Sequence, residues 1–249
     1  MKRRRGSSRY YFIFVFLVCV LIGAIFGARS IIKKLSFFEI EKIVIKGNEN
    51  LETAFLENLV KDYIGQNLFQ IEKRDIRKKY ENIIRIKAIK VSRIIPDKLK
   101  IAITERKGVI FIKTTEGELF PIDDEKIILD NDNFYTNEVL PIVSSDIDKR
   151  DIIYGEILES TFIDSILTFY RNLLDIHPIF KDKISELYRK DNEIIIVEAE
   201  KGYRILFGKD DLENKIKRFL LIEGNRTFER NSVVDLRFEN KLIVRTEER

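Results

Sequence analysis

The chain has 249 residues, 45% hydrophobic and 35% charged, which excludes a disordered or fibrous polymer and leaves room for one large or two ordinary domains. Of its 45 basic residues, eight (Lys2, Arg3, Arg4, Arg5, Arg9, Arg29, Lys33, Lys34) fall in the first 34 positions, which hold no acid; the other 215 residues carry 37 basic against 41 acidic, so no basic surface for nucleic acid is indicated. A single cysteine, Cys19, excludes an intrachain disulfide and a cysteine-based metal site.

The first element in chain order is YYFIFVFLVCVLIGAIFGA, Tyr10 to Ala28, without a charge. As a helix it would extend about 28 Å, close to the hydrocarbon thickness of a bilayer. Tyr10 and Tyr11 open it, where interfacial aromatics belong. A cleavable signal would end on a small-x-small site, but Phe26-Gly27-Ala28 puts Phe at the −3 position, so an uncleaved transmembrane helix over residues 10–28 is predicted. The basic residues before it place residues 1–9 as a cytoplasmic tail and everything after the span outside, a single-pass type II arrangement in the cytoplasmic membrane.

From Phe38 the pattern changes. Phe38, Ile40, Ile43 and Ile45 read as a strand ending at Gly47-Asn48. Leu56, Leu59, Val60 and Tyr63 mark one face of a helix, with Thr53 as N-cap and Gly65 as stop. A second short helix carries Ile76 and Tyr80, and two strands, IKAIKVSRI and KLKIAITER, meet at Ile95-Pro96-Asp97. The order is β-α-α-β-β. Gly47-Asn48, Gly65-x-Asn67-Leu68-Phe69, Ile86-x-x-Ile89-x-Val91, and Pro96-Asp97-x-Leu99-x-Ile101 closing on Glu105-Arg106 together resemble a POTRA domain, over residues 38–106, of the version found in the bacterial division proteins FtsQ and DivIB. Ile95 stands where that family often has Trp, and Gly108 where it often has Pro.

Residues 107–249 are predicted as a mostly antiparallel β domain with two helices. GVIFIKT, GELFPID and EKIILD read as successive strands, with turns at Glu116-Gly117 and Asp123-Asp124. Phe162, Ile166, Phe169 and Leu173 give one apolar face to a helix over about 157–174. KISELYRK, EIIIVEAE and YRILFG form a meander, and His177, beside Pro178, reads as a helix-end residue. The last helix has Asp210 as N-cap with Glu213 three residues on, Leu212, Ile216, Phe219 and Leu220 inward, and Lys215, Lys217 and Arg218 near its end. Val233 to Phe238 and Leu242 to Arg245 close the chain as a hairpin around Glu239-Asn240. Phe207-Gly208-Lys209-Asp210, Lys215, and Val234-Asp235-Leu236-Arg237-Phe238 resemble the C-terminal β domain of FtsQ/DivIB in order and spacing. The fold class expected is therefore α+β: a span, a POTRA domain and a β domain.

Catalytic chemistry is not written in the chain. One histidine, no GxSxG, no SxxK and no glycine-rich phosphate loop leave no nucleophilic or phosphate-binding motif, and Asp123-Asp124-Glu125 and Asp130-x-Asp132 match neither a calcium loop nor a zinc pattern. No cofactor, metal or small-molecule substrate is expected. The resemblance implies a non-enzymatic bitopic scaffold at the division septum that binds FtsB/DivIC-type and FtsL-type partners through its ectodomain, and other division proteins through the POTRA domain. Partner binding is expected at Arg237, Phe238, Leu242 and Val244, with Phe238 carried over from the family motif, and strand addition at the last hairpin as the physical mode. Two other readings compete: a POTRA-bearing component of outer-membrane protein assembly or secretion, and a tethered cell-wall hydrolase.

Overall fold

Apolar side chains that alternate along a strand can be buried only if both neighbours in the sheet keep the same register, and this chain solves that problem twice. The computed structural model describes residues 7–33, 35–130, 139–191, 193–208, 211–239 and 241–246, and the chain divides into one unit up to Glu105 and another from Arg106.

The first unit opens with helix α1, Ser7–Ile32. Tyr10, Phe14, Leu17, Leu21 and Ile25 are exposed, and so are Phe12, Phe16 and Val20 on other faces, so its apolarity encircles the helix. Counted over the described residues, no helix is long and apolar enough to cross a membrane. Strand β1 (Lys42–Lys46) pairs parallel with β3 (Lys98–Glu105), and β2 (Ile86–Ile94) pairs antiparallel with β3, giving the order β1-β3-β2. Helices α2 (Thr53–Asn58) and α3 (Lys73–Lys78) lie between β1 and β2 in sequence, as the β-α-α-β-β reading requires. Leu56, Val60, Ile76 and Tyr80 are buried, as are Leu99 and Ile101 of β3. Each such burial stabilises by about 1.5–3 kcal/mol relative to exposure.

Three details differ from the sequence reading. The first strand is shorter at its start, because Ser36–Phe38 form a 3₁₀ turn. Thr53 is the first helical residue rather than the cap, and its hydroxyl accepts a hydrogen bond from the Asn48 amide. The helix breaks after Asn58 and resumes as a 3₁₀ turn at Lys61–Tyr63. Gly47 has φ +83°, and a Cβ there would collide with the Ile103 carbonyl, so glycine is required.

The unit boundary falls between Glu105 and Arg106. Glu105 accepts backbone N–H bonds from Glu49, Asn50 and Leu51, closing the turn after β1. Arg106 bonds Asp123 and Glu125 within the second unit. Burial opposes the Arg106 charge, yet these two carboxylates raise its pKa.

The second unit holds β4 (Ile110–Lys113), β5 (Leu119–Ile122), β6 (Ile142–Ser144), α4 (Thr161–Ile176), α5 (Phe180–Lys183), β7 (Ile184–Lys190), β8 (Glu193–Glu198), β9 (Arg204–Leu206), α6 (Leu212–Glu223), β10 (Ser232–Asp235) and β11 (Ile243–Thr246). The eight strands form one open sheet in the order β11-β10-β9-β8-β7-β6-β4-β5. The expectation of a mostly antiparallel domain is corrected here: β4–β6, β6–β7 and β9–β10 are parallel, so the sheet is mixed. Helices α4 and α6 supply two of those crossovers, and α5 is a third, short helix beyond the two expected.

Register explains the core. Phe120, Ile112, Val143, Leu187, Ile196, Ile205, Val234 and Val244 stand opposite one another strand by strand, an apolar row from one edge of the sheet to the other. Ile163, Ile166, Tyr170 and Leu173 of α4, with Ile216 and Phe219 of α6, close over that row. Ser160, not a residue near 157, caps α4 by accepting from the Ile163 N–H. On the opposite face Ile195, Leu206 and Val233 form a small second cluster with Tyr188.

Candidate partner-docking edge

Strand β11 is last in the sheet, so one side of its backbone pairs with β10 and the other faces outward. Among the described residues, no backbone bond reaches that outer side of Ile243–Thr246. The opposite edge is built differently. β5 carries Pro121, which has no N–H to offer, and its outer side is covered: Leu129 N–H donates to Pro121 O at 2.8 Å, and Ile122 bridges Ile128. That cover is itself held, since Ile128 N–H donates to Glu156 O and Gly155 N–H returns to Ile128 O. The segment read as a strand from EKIILD is thus an edge cover, kinked at Lys126 with φ 65°.

The residues beside the bare edge are tied into one network. The Asp235 side chain is fully buried. Its Oδ2 accepts from Arg237 at 2.7 Å and from Arg245 at 2.6 Å, and its Oδ1 accepts from Arg237 Nε at 2.9 Å and from the Arg237 backbone N–H at 3.1 Å. Burial pushes the Asp235 pKa up, but the bonds from Arg237 and Arg245 outweigh it and hold the carboxyl below its ordinary value. Arg237 in turn has its pKa raised by Asp235. One carboxylate so clamps β10 to β11 across the pair.

The turn between them is longer than the two residues expected. β10 stops at Asp235, and Leu236 N–H crosses to Leu206 O. From α6, Arg218 reaches over and donates to the carbonyls of Phe238, Glu239 and Lys241. Asn240, the expected turn residue, and Asp210, the expected N-cap, lie outside the described residues. The residue before α6 is Asp211, left-handed at φ 51°, and Glu213 pairs with Lys217 instead.

Of the four expected contact residues, Phe238 is 46% exposed on this turn. Arg237 is exposed but engaged with Asp235. Leu242 and Val244 are half-buried and pack against the inner core, Val244 opposite Val234. Ile243 and Arg245 stand on the other face of β11. There a shallow recess of about 310 Å³ has Ile195, Leu206 and Val233 as floor and Arg204, Arg237 and Arg245 on its rim. Three residues of the quoted motifs converge at this corner: a Cβ on Gly208 (φ +71°) would lie 3.1 Å from the Arg237 side chain and 3.5 Å from the Lys215 ammonium. The sequence reading missed Asp235, Arg218 and Arg245 as a group. Asp235 stands opposite Ile243 and Arg245 opposite Val233, so the two meet diagonally on one face, a pairing that only the register shows.

Among the described residues no cluster of three or more His, Cys, Asp or Glu could hold a metal. A βααββ unit followed by an open mixed sheet is a POTRA-bearing architecture of the kind that carries a β-rich C-terminal domain. A family model for the POTRA domain, FtsQ-type, matches residues 38–106, and one for the cell division protein FtsQ/DivIB C-terminal domain matches residues 110–237. The chain belongs to the FtsQ/DivIB family of cell division proteins. It is 26% identical over 129 residues to the cell division protein DivIB of Clostridium botulinum strain Hall, covering 52% of this chain and 47% of the relative. It is 22% identical over 227 residues to the cell division protein FtsQ of Geotalea daltonii, covering 88% and 80%, and 30% identical over 98 residues to that of Koribacter versatilis, covering 38% and 28%. The chain spans about half the length of the DivIB relatives it matches.

Proposed function

We propose that the chain is a single-pass membrane scaffold of the division machinery, with no catalytic role of its own, that takes up a strand of a partner on β11. The uncharged run Tyr10–Ala28 and the all-round exposure of apolar side chains on α1 support the anchor, and the basic residues ahead of it support a cytoplasmic N-terminus with both units outside. The partners are of the FtsB/DivIC and FtsL types, as the family resemblance implies, and the place of action is the septum.

One observation carries the reading: of the two edges of the sheet, the one beside the family motif is bare among the described residues. Main-chain bonds to β11 would supply affinity, and Phe238 with the recess beside Arg245 would supply selectivity. The test is co-purification of the detergent-solubilised full chain with FtsB/DivIC-type and FtsL-type proteins of the same cell. Phe238→Ala is expected to weaken capture about tenfold, the size of a moderate hot spot. Val244→Pro, which removes a strand N–H, is expected to abolish it while α1 still inserts. Unchanged capture by both variants would remove the assignment.

A further inference from the structure

The first unit has two ends, and its exposed apolar residues are not shared evenly between them. The starts of β1 and β3 and the finish of β2 lie together, since Lys42 stands opposite Lys98 and Ile94 opposite Lys98. Glu41 and Lys42 N–H both donate to Asp97 O, tying the β2–β3 turn to the start of β1. The loop at 64–70 belongs to the same end: Gly65 N–H donates to Ile40 O, Ile40 N–H to Gln66 O, and Leu68 N–H to Phe38 O. The other end carries Gly47 and the Glu105 carboxylate.

Helix α1 arrives at the first of these ends and is fastened there. The last carbonyls of a helix have no partner within it. Here Asn67 Nδ2 donates to Ile32 O at 3.1 Å and Leu35 O at 3.0 Å, and Gln70 Nε2 donates to Lys33 O at 2.7 Å. Asn67 is itself buried, and its Oδ1 accepts from Phe69 N–H at 2.9 Å. Phe37, Phe38 and Phe69 then stack edge to face along the junction, at 5.2 and 5.1 Å between centroids.

Among the described residues, six large apolar side chains of this unit beyond α1 are exposed, and five of them (Leu35, Phe37, Ile64, Ile94 and Ile95) are at the α1 end; the sixth, Phe55, is on α2. Phe37 is 67%, Ile64 54% and Ile95 64% exposed, so these are not rims of the core. Basic Lys33, Lys42 and Lys98 stand there with acidic Glu39, Glu41 and Asp97, so charge of one sign does not dominate. We propose that this end of the POTRA unit is immersed in the lipid interface, with Phe37, Ile64 and Ile95 as its lipid-contacting residues and the Asn67 and Gln70 caps fixing it against α1. The partner is the bilayer surface itself, and the contact is apolar rather than electrostatic. The inference rests on α1 being a membrane anchor.

The test uses the full chain in phosphatidylcholine vesicles, with single nitroxide labels placed by Ile64→Cys, Ile95→Cys and Phe55→Cys in a Cys19→Ser background, and a fourth label on native Cys19 in the unsubstituted chain. Collisional access to oxygen and to a water-soluble nickel chelate is compared. Labels at 64 and 95 are expected to favour oxygen, and to keep doing so at high salt, whereas the label at 55 favours the chelate. If Cys19 favours oxygen but 64 and 95 behave as 55 does, the lipid contact is overturned and the anchor stands. If Cys19 also favours the chelate, the anchor reading fails and takes this inference with it.

Discussion

The two edges of the eight-stranded sheet face the same physical hazard and answer it differently. An exposed strand edge recruits other chains unless it is blunted. β5 is blunted three times over, by Pro121, by the return segment through Leu129, and by the second tier from Gly155 to Leu158 that holds that segment in place. β11 has no proline and, among the described residues, no cover. What it has instead is internal reinforcement: the Asp235 clamp holds β11 through Arg245 from its paired side, Arg218 fixes the turn that leads into it, and among the described residues the outer side stays open. The lesson is that the bare edge is not a neglected one. A strand held rigid yet unpaired loses little further entropy when a partner strand arrives, which is the condition for tight strand addition.

The comparison can be broken most forcefully through what both edges share. Ile205 sits in the middle of the apolar row and is buried. Ile205→Ala is expected to cost about 3 kcal/mol, read as a fall in the urea midpoint of the second unit, with faster amide exchange at β5 and β11 alike. Asp235→Ala should separate them. It removes the charge-assisted bonds of the clamp and should cost about 2 kcal/mol, since Arg237 and Arg245 can return to water. Exchange should then rise at β11 and not at β5.

Acid offers the same separation without mutation. The folded Asp235 pKa is depressed, so its contribution is complete above about pH 4, where the unfolded carboxyl is ionised, and is lost as pH falls through the lower folded value. As pH falls from about 4 through the lower folded value, β11 is expected to open before β5, and Asp235→Asn should abolish that order of events. The smallest effect is predicted for Arg218→Ala. Its three carbonyl acceptors are exposed and water can replace it, so the stability loss should stay within about 1 kcal/mol. Its readout is the exchange of residues 236–239, and the capture of partner should fall with it.

How much of this was legible beforehand follows from how far apart the deciding residues are. The β-α-α-β-β order was read from local periodicity and a turn at Pro96, and both are local matters. So were the β7–β8–β9 meander and the apolar face of α4, whose i, i+4 pattern survived with a start four residues later. The parallel pairs were not legible, because β4 meets β6 and β9 meets β10 only after long crossovers that leave no period in the sequence. EKIILD has strand composition, yet the left-handed turn at Lys126 prevents a regular ladder. The last hairpin shows the limit most clearly. Val233 to Phe238 alternates as a strand should, but the Asp235 carboxylate captures the Arg237 N–H and ends the strand. Arg218, on a helix before β10, then shapes the turn by contacts that no spacing rule anticipates. Phe238, Arg237, Leu242 and Val244 lie on the last strand or the turn before it; which of them face the core emerged only from the register opposite Val234.

The most direct measurement is amide hydrogen exchange of the full chain, alone and with the FtsB/DivIC-type partner bound, compared at the two edges. The account predicts that the outward-facing amides of Ile243–Thr246 become strongly protected on binding while those of Leu119–Ile122 keep their free-state rates. Protection that appears elsewhere with β11 unchanged, or protection shared equally by β5, would contradict it.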